Sequence, residues 1–254
     1  MSNLDKEVKR CAGGRADYIH LDVMDGQFVP NKTFDHAKIK ELRPLTLIPF
    51  DAHLMINEPV KHVHDYIDAG SDIITVHAEV CDESSFGEIC DMLNSNQVGI
   101  GLAINPDTEL PQWCYKFVEL LDQVIIMSVV PGKSGQKFIE STHEKTRRIA
   151  KDLREHKFEG YIEADGGVNL ENIGACFEDG ARAFVGGSAI IGQNDVRMII
   201  KEFRNQVLES RRRLLIKKAH DLGGTELVNS WIDLHVVGEK KDKLVQIAKE
   251  LGFQ

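Results

Sequence analysis

HLDVMDG, residues 20 to 26, is the segment that decides the fold. His20, Asp22 and Met24 are spaced two apart within an apolar run. Alternate side chains of a β-strand point to the same face, so an imidazole, a carboxylate and a thioether are predicted to point into one interior. A strand that buries polar groups in this way indicates a functional interior.

Two later segments repeat this pattern. FDAHLM, at 50 to 55, places His53 and Met55 on one face of a strand, and GYIEADGG, at 160 to 167, brings Asp165 just before a glycine pair. Two histidines and two carboxylates, each at a strand end, therefore predict a site for a divalent metal ion. The alternative is that the histidines belong to the core and bind backbone carbonyl groups.

The rest of the chain alternates strand-like and helix-like segments. Seven β-rich runs are predicted as strands, at 18 to 24, 49 to 55, 72 to 78, 98 to 104, 123 to 129, 160 to 165 and 183 to 187. Helical patterns lie between them, including residues 58 to 70 and 137 to 156. This alternation predicts βαβ units and a parallel sheet whose strands are covered on both faces.

A closed (β/α)8 TIM-type barrel with one strand missing is the preferred fold, and an open doubly wound sheet is the alternative. The polar candidates sit near the carboxyl ends of several strands, as in barrel enzymes, whereas an open sheet gathers its site at one switch point. The barrel domain is predicted over residues 1–200. Residues 201–254 are predicted to form a C-terminal extension of helix, possible strand at 231–237, and closing helix.

Composition excludes several classes of protein. The 254 residues carry a formal net charge of −9, which disfavours nucleic acid and anionic membranes as partners. The five cysteines form no CxxC pair and are odd in number, which favours a reducing cytoplasm over a disulfide framework. No apolar run approaches the roughly 20 residues needed to span a bilayer. We expect a soluble, cytoplasmic protein.

The motifs resemble, in order and spacing, those of the ribulose-phosphate 3-epimerase family over about residues 3 to 192. They are HLDVMDGQFVPN, DAHLM, EP, TVHAE, NP, MSVVPGKSGQKF, EADGGVN and GGSAI. The resemblance implies a sugar-phosphate substrate and one divalent metal ion: zinc, iron, manganese or cobalt. It assigns the metal ligands to His20, Asp22, His53 and Asp165, and the two acid/base groups to Asp22 and Asp165.

The resemblance also implies substrate contacts. These are His53, an apolar wall of Met24, Met55 and Met127, a mobile loop with Gly132, Gly135 and Gln136, and a phosphate site at Gly166, Gly167, Gly187 and Ser188. Both glycine pairs are expected at the starts of short helices, where N–H groups favour an anion. In the loop, Lys133 and Ser134 replace the family's usual aromatic residue and glycine. His77 either touches the substrate or fills the barrel.

The chain departs from the family at its front, because it begins at the helix that follows the family's first strand. We therefore expect one barrel strand to be missing. Three accounts are open: the recorded start is late, an oligomeric partner covers the gap, or residues 231 to 237 enter it. An exposed barrel edge is costly in water, and the amphipathic tail favours a homo-oligomer.

The resemblance predicts an isomerase that interconverts D-ribulose 5-phosphate and D-xylulose 5-phosphate through a metal-stabilised enediolate. An epimerase of a six-carbon ketose phosphate, such as allulose 6-phosphate, fits the same pocket residues. A sugar-phosphate-binding homologue with impaired catalysis is the alternative from another class. A decarboxylase or aldolase is disfavoured, because no strand-end motif supplies a lysine.

Overall fold

A computed structural model describes residues 4–221, in which seven strands form one parallel sheet in the order β1 to β7. The strands are β1 Ile19–Met24, β2 Phe50–Met55, β3 Ile73–His77, β4 Gly99–Ile104, β5 Gln123–Met127, β6 Tyr161–Asp165 and β7 Ala183–Val185. All seven predicted strands are confirmed within one to two residues at each end.

Helices follow most of the strands along the chain. They are α1 Leu4–Gly13, α2 His36–Leu42, α3 Val63–Asp68, α4 Glu83–Ser95, α5 Thr142–Glu155, α6 Ile173–Asp179, α7 Gly187–Ile191 and α8 Val196–Asp221. Short 3-10 helices span Arg43–Leu45, Pro59–Lys61, Ala78–Val80 and Gln112–Lys116. The sheet curls as predicted for a TIM-type barrel, since side chains of β1 reach those of β6.

The two faces of the curled sheet differ in chemistry. Outward-facing side chains such as Leu54, Val76 and Leu102 are fully buried beneath the helices and form one large apolar core. Inward-facing side chains lie opposite each other in register, as in the pairs Asp22 with His53 and His20 with Asp51. The helices thus stabilise the fold from outside, which leaves the barrel interior free to carry polar groups.

Gly101 of β4 makes room for this interior. A Cβ atom at Gly101 would overlap the side-chain oxygen of Thr75 and lie 3.0 Å from Cγ of Gln123. Because glycine occupies the position, Gln123 can reach across β4 to donate hydrogen bonds to Thr75 and Asp51.

The sheet has two free edges within residues 4–221, because β1 pairs only with β2 and β7 only with β6. All three residues of β7 are only half-buried, whereas β2 to β4 are almost completely buried. Helix α8 packs on α6 and α1 beside these edges; Val196 reaches within 3.0 Å of an ideal Cβ on Gly14. The free edges agree with the expectation of one absent strand.

Three sequence-based boundaries need correction or fall outside the description. Helix α5 begins at Thr142 rather than at 137, because residues 131 to 139 are held against the end of β5, with the Ile139 N–H donating to Ser128. Helix α8 crosses residue 200 without a break, so the division into barrel and extension there stays a prediction. The possible strand at 231–237 lies outside the described residues.

Within residues 4–221, no helix is both long and apolar enough to cross a membrane.

Candidate active site and metal centre

Four side chains from β1, β2 and β6 converge at the carboxyl ends of their strands. One ligand atom each of His20, Asp22, His53 and Asp165 lies within 4.8 Å of the other three. The register places Asp22 opposite His53 on adjacent strands, and the curl of the sheet brings in Asp165 from β6. The structure therefore brings together all four residues that the sequence assigned to a metal site.

The spacing of these atoms fits a tetrahedral cation. Nε2 of His20 lies 3.2 Å from Nδ1 of His53 and 3.3 Å from Oδ1 of Asp22. Nδ1 of His53 lies 3.2 Å from Oδ1 of Asp22, and the Asp165 carboxylate lies 3.7 and 3.6 Å from the two imidazoles. Tetrahedral metal bonds of about 2.0–2.2 Å place neighbouring ligand atoms about 3.3–3.6 Å apart. Two imidazoles and two carboxylates are also a donor set suited to zinc, iron, manganese or cobalt.

His20 is held by a second polar group on the side away from the proposed cation. Its Nδ1 lies 2.8 Å from Oδ2 of Asp51 and 3.3 Å from Oε1 of Glu163. Asp51 also accepts hydrogen bonds from Gln123 and Thr75. A carboxylate on the far nitrogen of a histidine fixes its ring orientation and leaves the near nitrogen available as a ligand.

His53 is held in the same way by a different chain of groups. Its Nε2 lies 2.8 Å from Nε2 of His77, and Nδ1 of His77 lies 3.0 Å from Oε2 of Glu79. His77 is fully buried. The sequence left two roles open for His77, contact with the substrate or filling of the barrel. The structure adds a third, contact with the proposed metal ligand His53.

The two candidate acid/base carboxylates have opposite electrostatic surroundings. Burial raises the pKa of Asp165 to about 7, with a further upward contribution from the charge of Asp22. Burial also acts to raise the pKa of Asp22, but hydrogen bonds from His20 and His53 outweigh it and hold that pKa well below its usual value. Two carboxylates whose environments separate their pKa values are suited to act as one acid and one base.

The two histidines differ as well. Burial acts to lower the pKa of His20, but the charge of Asp51 and the hydrogen bonds of Asp22 and Asp51 raise it well above its usual value. Burial lowers the pKa of His53 to about 4, so this ring is neutral at physiological pH. A neutral imidazole is the form that binds a metal ion.

The three methionines predicted to line the centre occupy two groups. Met24 and Met55 face each other on β1 and β2 and pack with Val29 and Phe28. Met127 packs with Ala103, Ile125 and Val129, and lies opposite Asp165 in register. All three are buried. The site therefore has apolar side chains on two sides.

The glycines predicted to bind phosphate follow β6 and β7 at the same end of the barrel as Asp165. Gly166 and Gly167 have φ angles of +114° and +66°, and a Cβ on Gly167 would lie 2.5 Å from the backbone nitrogen of Phe138. The pair forms a turn, and α6 begins only at Ile173, so the prediction of a helix start there is wrong. The second pair agrees with the prediction, since α7 begins at Gly187; Gly187 and Ser188 are exposed.

The loop after β5 contacts the loop after β1. The carbonyl oxygen of Gly132 accepts a hydrogen bond from the Asn31 side chain, and Gly135 is exposed. Gln136 is predicted to bind substrate, but its amide donates to the carbonyl oxygens of Val130 and Lys133, which braces the loop itself. The Lys133 side chain is exposed.

Sequence reasoning missed the polar groups beneath the site. Asp51 and Glu163 each stand two residues before a proposed ligand, His53 or Asp165, and therefore face the same interior. The alternation of inward and outward side chains that identified the ligands also points inward the residue two positions earlier on the same strand. It could have identified both carboxylates.

Comparison with known proteins gives the family. The model of the Ribulose-phosphate 3 epimerase family matches residues 1–191. The chain belongs to this family. It is 40% identical over 202 residues to the ribulose-phosphate 3-epimerase of Bacillus subtilis, which covers 79% of this chain and 92% of that protein. It is 36% identical over 207 residues to the Escherichia coli K12 ribulose-phosphate 3-epimerase, covering 81% of this chain and 91% of that protein.

A solved structure supports the barrel. A 3-hexulose-6-phosphate synthase superposes with a TM-score of 0.58 at 18% identity, covering 80% of this chain and 94% of that one. At that identity the likeness concerns the fold alone. Family membership makes this chain an isomerase of the epimerase type, which confirms the predicted class of enzyme.

Proposed function

We propose that this chain is a divalent-metal-dependent epimerase that interconverts D-ribulose 5-phosphate and D-xylulose 5-phosphate. The convergence of Asp22 and Asp165 with His20 and His53 carries the proposal. Both relatives described above are named ribulose-phosphate 3-epimerase, which supports the pentose substrate over a six-carbon ketose phosphate.

Epimerisation next to a ketone requires removal of a proton from one face of a carbon and delivery of a proton to the other face. Asp22 and Asp165 are the two groups proposed for this work. In the metal-free site the two carboxyl groups differ: the pKa of Asp22 is held well below its usual value, and the pKa of Asp165 is raised to about 7. The roles exchange in the reverse reaction.

The remaining groups bind and shield the substrate. His20, His53 and the two aspartates would hold the cation, which when bound supplies Lewis-acid stabilisation of the negative charge that develops on the substrate oxygens. Met24, Met55 and Met127 exclude water from the reacting carbon. Gly166, Gly167, Gly187 and Ser188 lie where backbone groups can meet the phosphate at the barrel mouth. Association into a homo-oligomer and a cytoplasmic location stay predictions.

The test is proton exchange at C3. We expect the full chain, stripped of metal and reloaded with zinc, manganese or cobalt, to form xylulose 5-phosphate from ribulose 5-phosphate in D2O, with deuterium at C3. The stripped protein should lose this activity and recover it on reloading. Absence of exchange with every metal would support a sugar-phosphate-binding protein instead, and faster turnover of allulose 6-phosphate would reassign the substrate.

A further inference from the structure

We propose that His77 and Glu79 are positioning residues that fix the tautomer and the ring orientation of His53 as a metal ligand. The inference rests on the proposed function, since it concerns the proposed metal site. It adds two residues that are not ligands themselves. They hold His53 through hydrogen bonds, as Asp51 holds His20.

The contact between the two histidines has the geometry of a hydrogen bond in the plane of the rings. The ring centroids lie 4.9 Å apart and the planes differ by 18°, while the two Nε2 atoms are only 2.8 Å apart. The nitrogens therefore lie between the rings, which meet edge to edge rather than face to face. Such a contact requires one nitrogen to donate and the other to accept.

Only one arrangement of protons satisfies the whole chain of contacts. Nδ1 of His53 faces Asp22 and His20 and must be free of its proton to bind a cation, so Nε2 of His53 carries the proton. Nε2 of His77 must then accept it, which leaves Nδ1 of His77 to donate to Glu79 at 3.0 Å. The Glu79 carboxylate can only accept. The carboxylate thus sets the tautomer of the ligand through the intervening ring.

The outer end of this chain is held firmly. The second oxygen of Glu79, Oε1, accepts the backbone N–H of Asn105 at 2.7 Å. The loop at Asn105 is itself fixed by Lys145 of α5, whose ammonium donates to the carbonyl oxygens of Asn105, Pro106 and Thr108. The Phe28 ring packs on His77 with centroids 4.7 Å apart. His77 therefore has little freedom to turn.

The structure also predicts why glutamine cannot replace Glu79 fully. Both carboxylate oxygens accept an N–H, one from His77 and one from Asn105. A glutamine of the same shape has one acceptor and one donor end, so it must either oppose the Asn105 N–H or donate to His77. The second choice reverses both tautomers and puts a proton on Nδ1 of His53.

Cobalt binding to the full, metal-stripped chain tests the proposal. Co²⁺ is titrated against a chromophoric chelator to obtain a Kd, and the visible spectrum reports the coordination geometry. We expect Glu79→Gln and His77→Leu to raise the Kd about 10- to 100-fold, the usual cost of losing such a partner. His77→Gln, whose amide oxygen can accept from Nε2 of His53, should recover part of the loss. Glu83→Gln, at an exposed position in α4, is the matched control and should bind as the wild type does.

Circular dichroism and melting of the metal-free variants separate positioning from folding. A merely structural role for His77 and Glu79 would lower the melting temperature and leave the Kd of the folded protein unchanged. Folded Glu79→Gln or His77→Leu with a wild-type Kd would overturn the inference while the proposed function stands. Failure of the wild-type chain itself to bind Co²⁺ would overturn both.

Discussion

The barrel interior has a polar half and an apolar half, and the same strand alternation builds both. The polar half is formed by inward side chains of β1, β2, β3 and β6 and by Gln123 of β5. Hydrogen bonds and ion pairs join most of its buried groups around His20 and His53. The apolar half is the cluster of Ala103, Ile125, Met127 and Val129, from β4, β5 and the residue segment just beyond. The inward position of a residue therefore does not decide its polarity.

Each half of the interior requires the other. Buried polar groups are stabilised by hydrogen-bond partners. The polar half supplies most of them, although Oε1 of Gln123 and Oε1 of Glu163 accept no hydrogen bond. Asp165 lies opposite Met127 of the apolar half, and burial raises its pKa to about 7. An interior that was polar throughout would be closer to water in its electrostatics and would leave both aspartates ionised.

The largest effect is expected from neutralising the two carboxylates of the polar half. Asp22→Asn and Asp165→Asn each keep the side-chain shape and should lower kcat about 10²- to 10⁴-fold, because each removes one proton-transfer group. In D2O, each variant should still exchange the C3 proton of the one epimer that faces its remaining carboxylate. Steady-state kinetics and NMR measure the two quantities.

Asp68→Asn, on the exposed surface of α3, is the control for these variants. Bound metal is measured in each protein, because both aspartates are also proposed ligands. Two variants that both epimerise at the wild-type rate would show that the carboxylates are not the acid and base.

A charge placed in the apolar half should be nearly as damaging, in this case to stability. Ile125 is fully buried among Ala103, Met127 and Val129 and lies opposite the buried Glu163 in register, so a carboxylate at this position would meet a like group. Ile125→Asp should lower the free energy of unfolding by about 4 kcal/mol or more, as expected for an unpaired buried charge. Ile125→Leu, which keeps the volume, should cost less than about 1.5 kcal/mol. Urea unfolding gives both free energies. If Ile125→Asp and Ile125→Leu unfold at the same urea concentration, water or a polar partner reaches the apolar half of the interior.

Much of this architecture is readable in the sequence, because strands buried on both faces are nearly continuous apolar runs. The polar exceptions, His20, Asp22, His53 and Asp165, then stand out at alternate positions. Their convergence depends on the curl of the sheet, which no local sequence pattern contains; only the family resemblance of the ordered motifs predicts it.

The errors have local physical causes. The turn at Gly166 and Gly167 resembles a helix start in sequence, but both residues have positive φ angles, which a right-handed helix does not allow. The assignment of Gln136 to the substrate stays a prediction; its amide donates to two carbonyl oxygens of its own loop. The link between His53 and Glu79 passes through His77, and such a chain of contacts is visible only in three dimensions.

The pH dependence of metal affinity reports the charge state of the polar half directly. His20 has a pKa well above its usual value, and Asp165 has a pKa of about 7, so both hold protons at pH 6 that a cation must displace. The apparent affinity for Co²⁺ should therefore rise between pH 6 and 8, by about tenfold per pH unit for each proton released. The dependence weakens as the pH passes each pKa, because no proton then remains to be displaced. Titrations with a chelator calibrated at each pH give the Kd for Co²⁺. The protons released in unbuffered solution give the number of protons that the cation displaces. An affinity independent of pH over this range would show that His20 and Asp165 are already deprotonated at pH 6 and would contradict their raised pKa values.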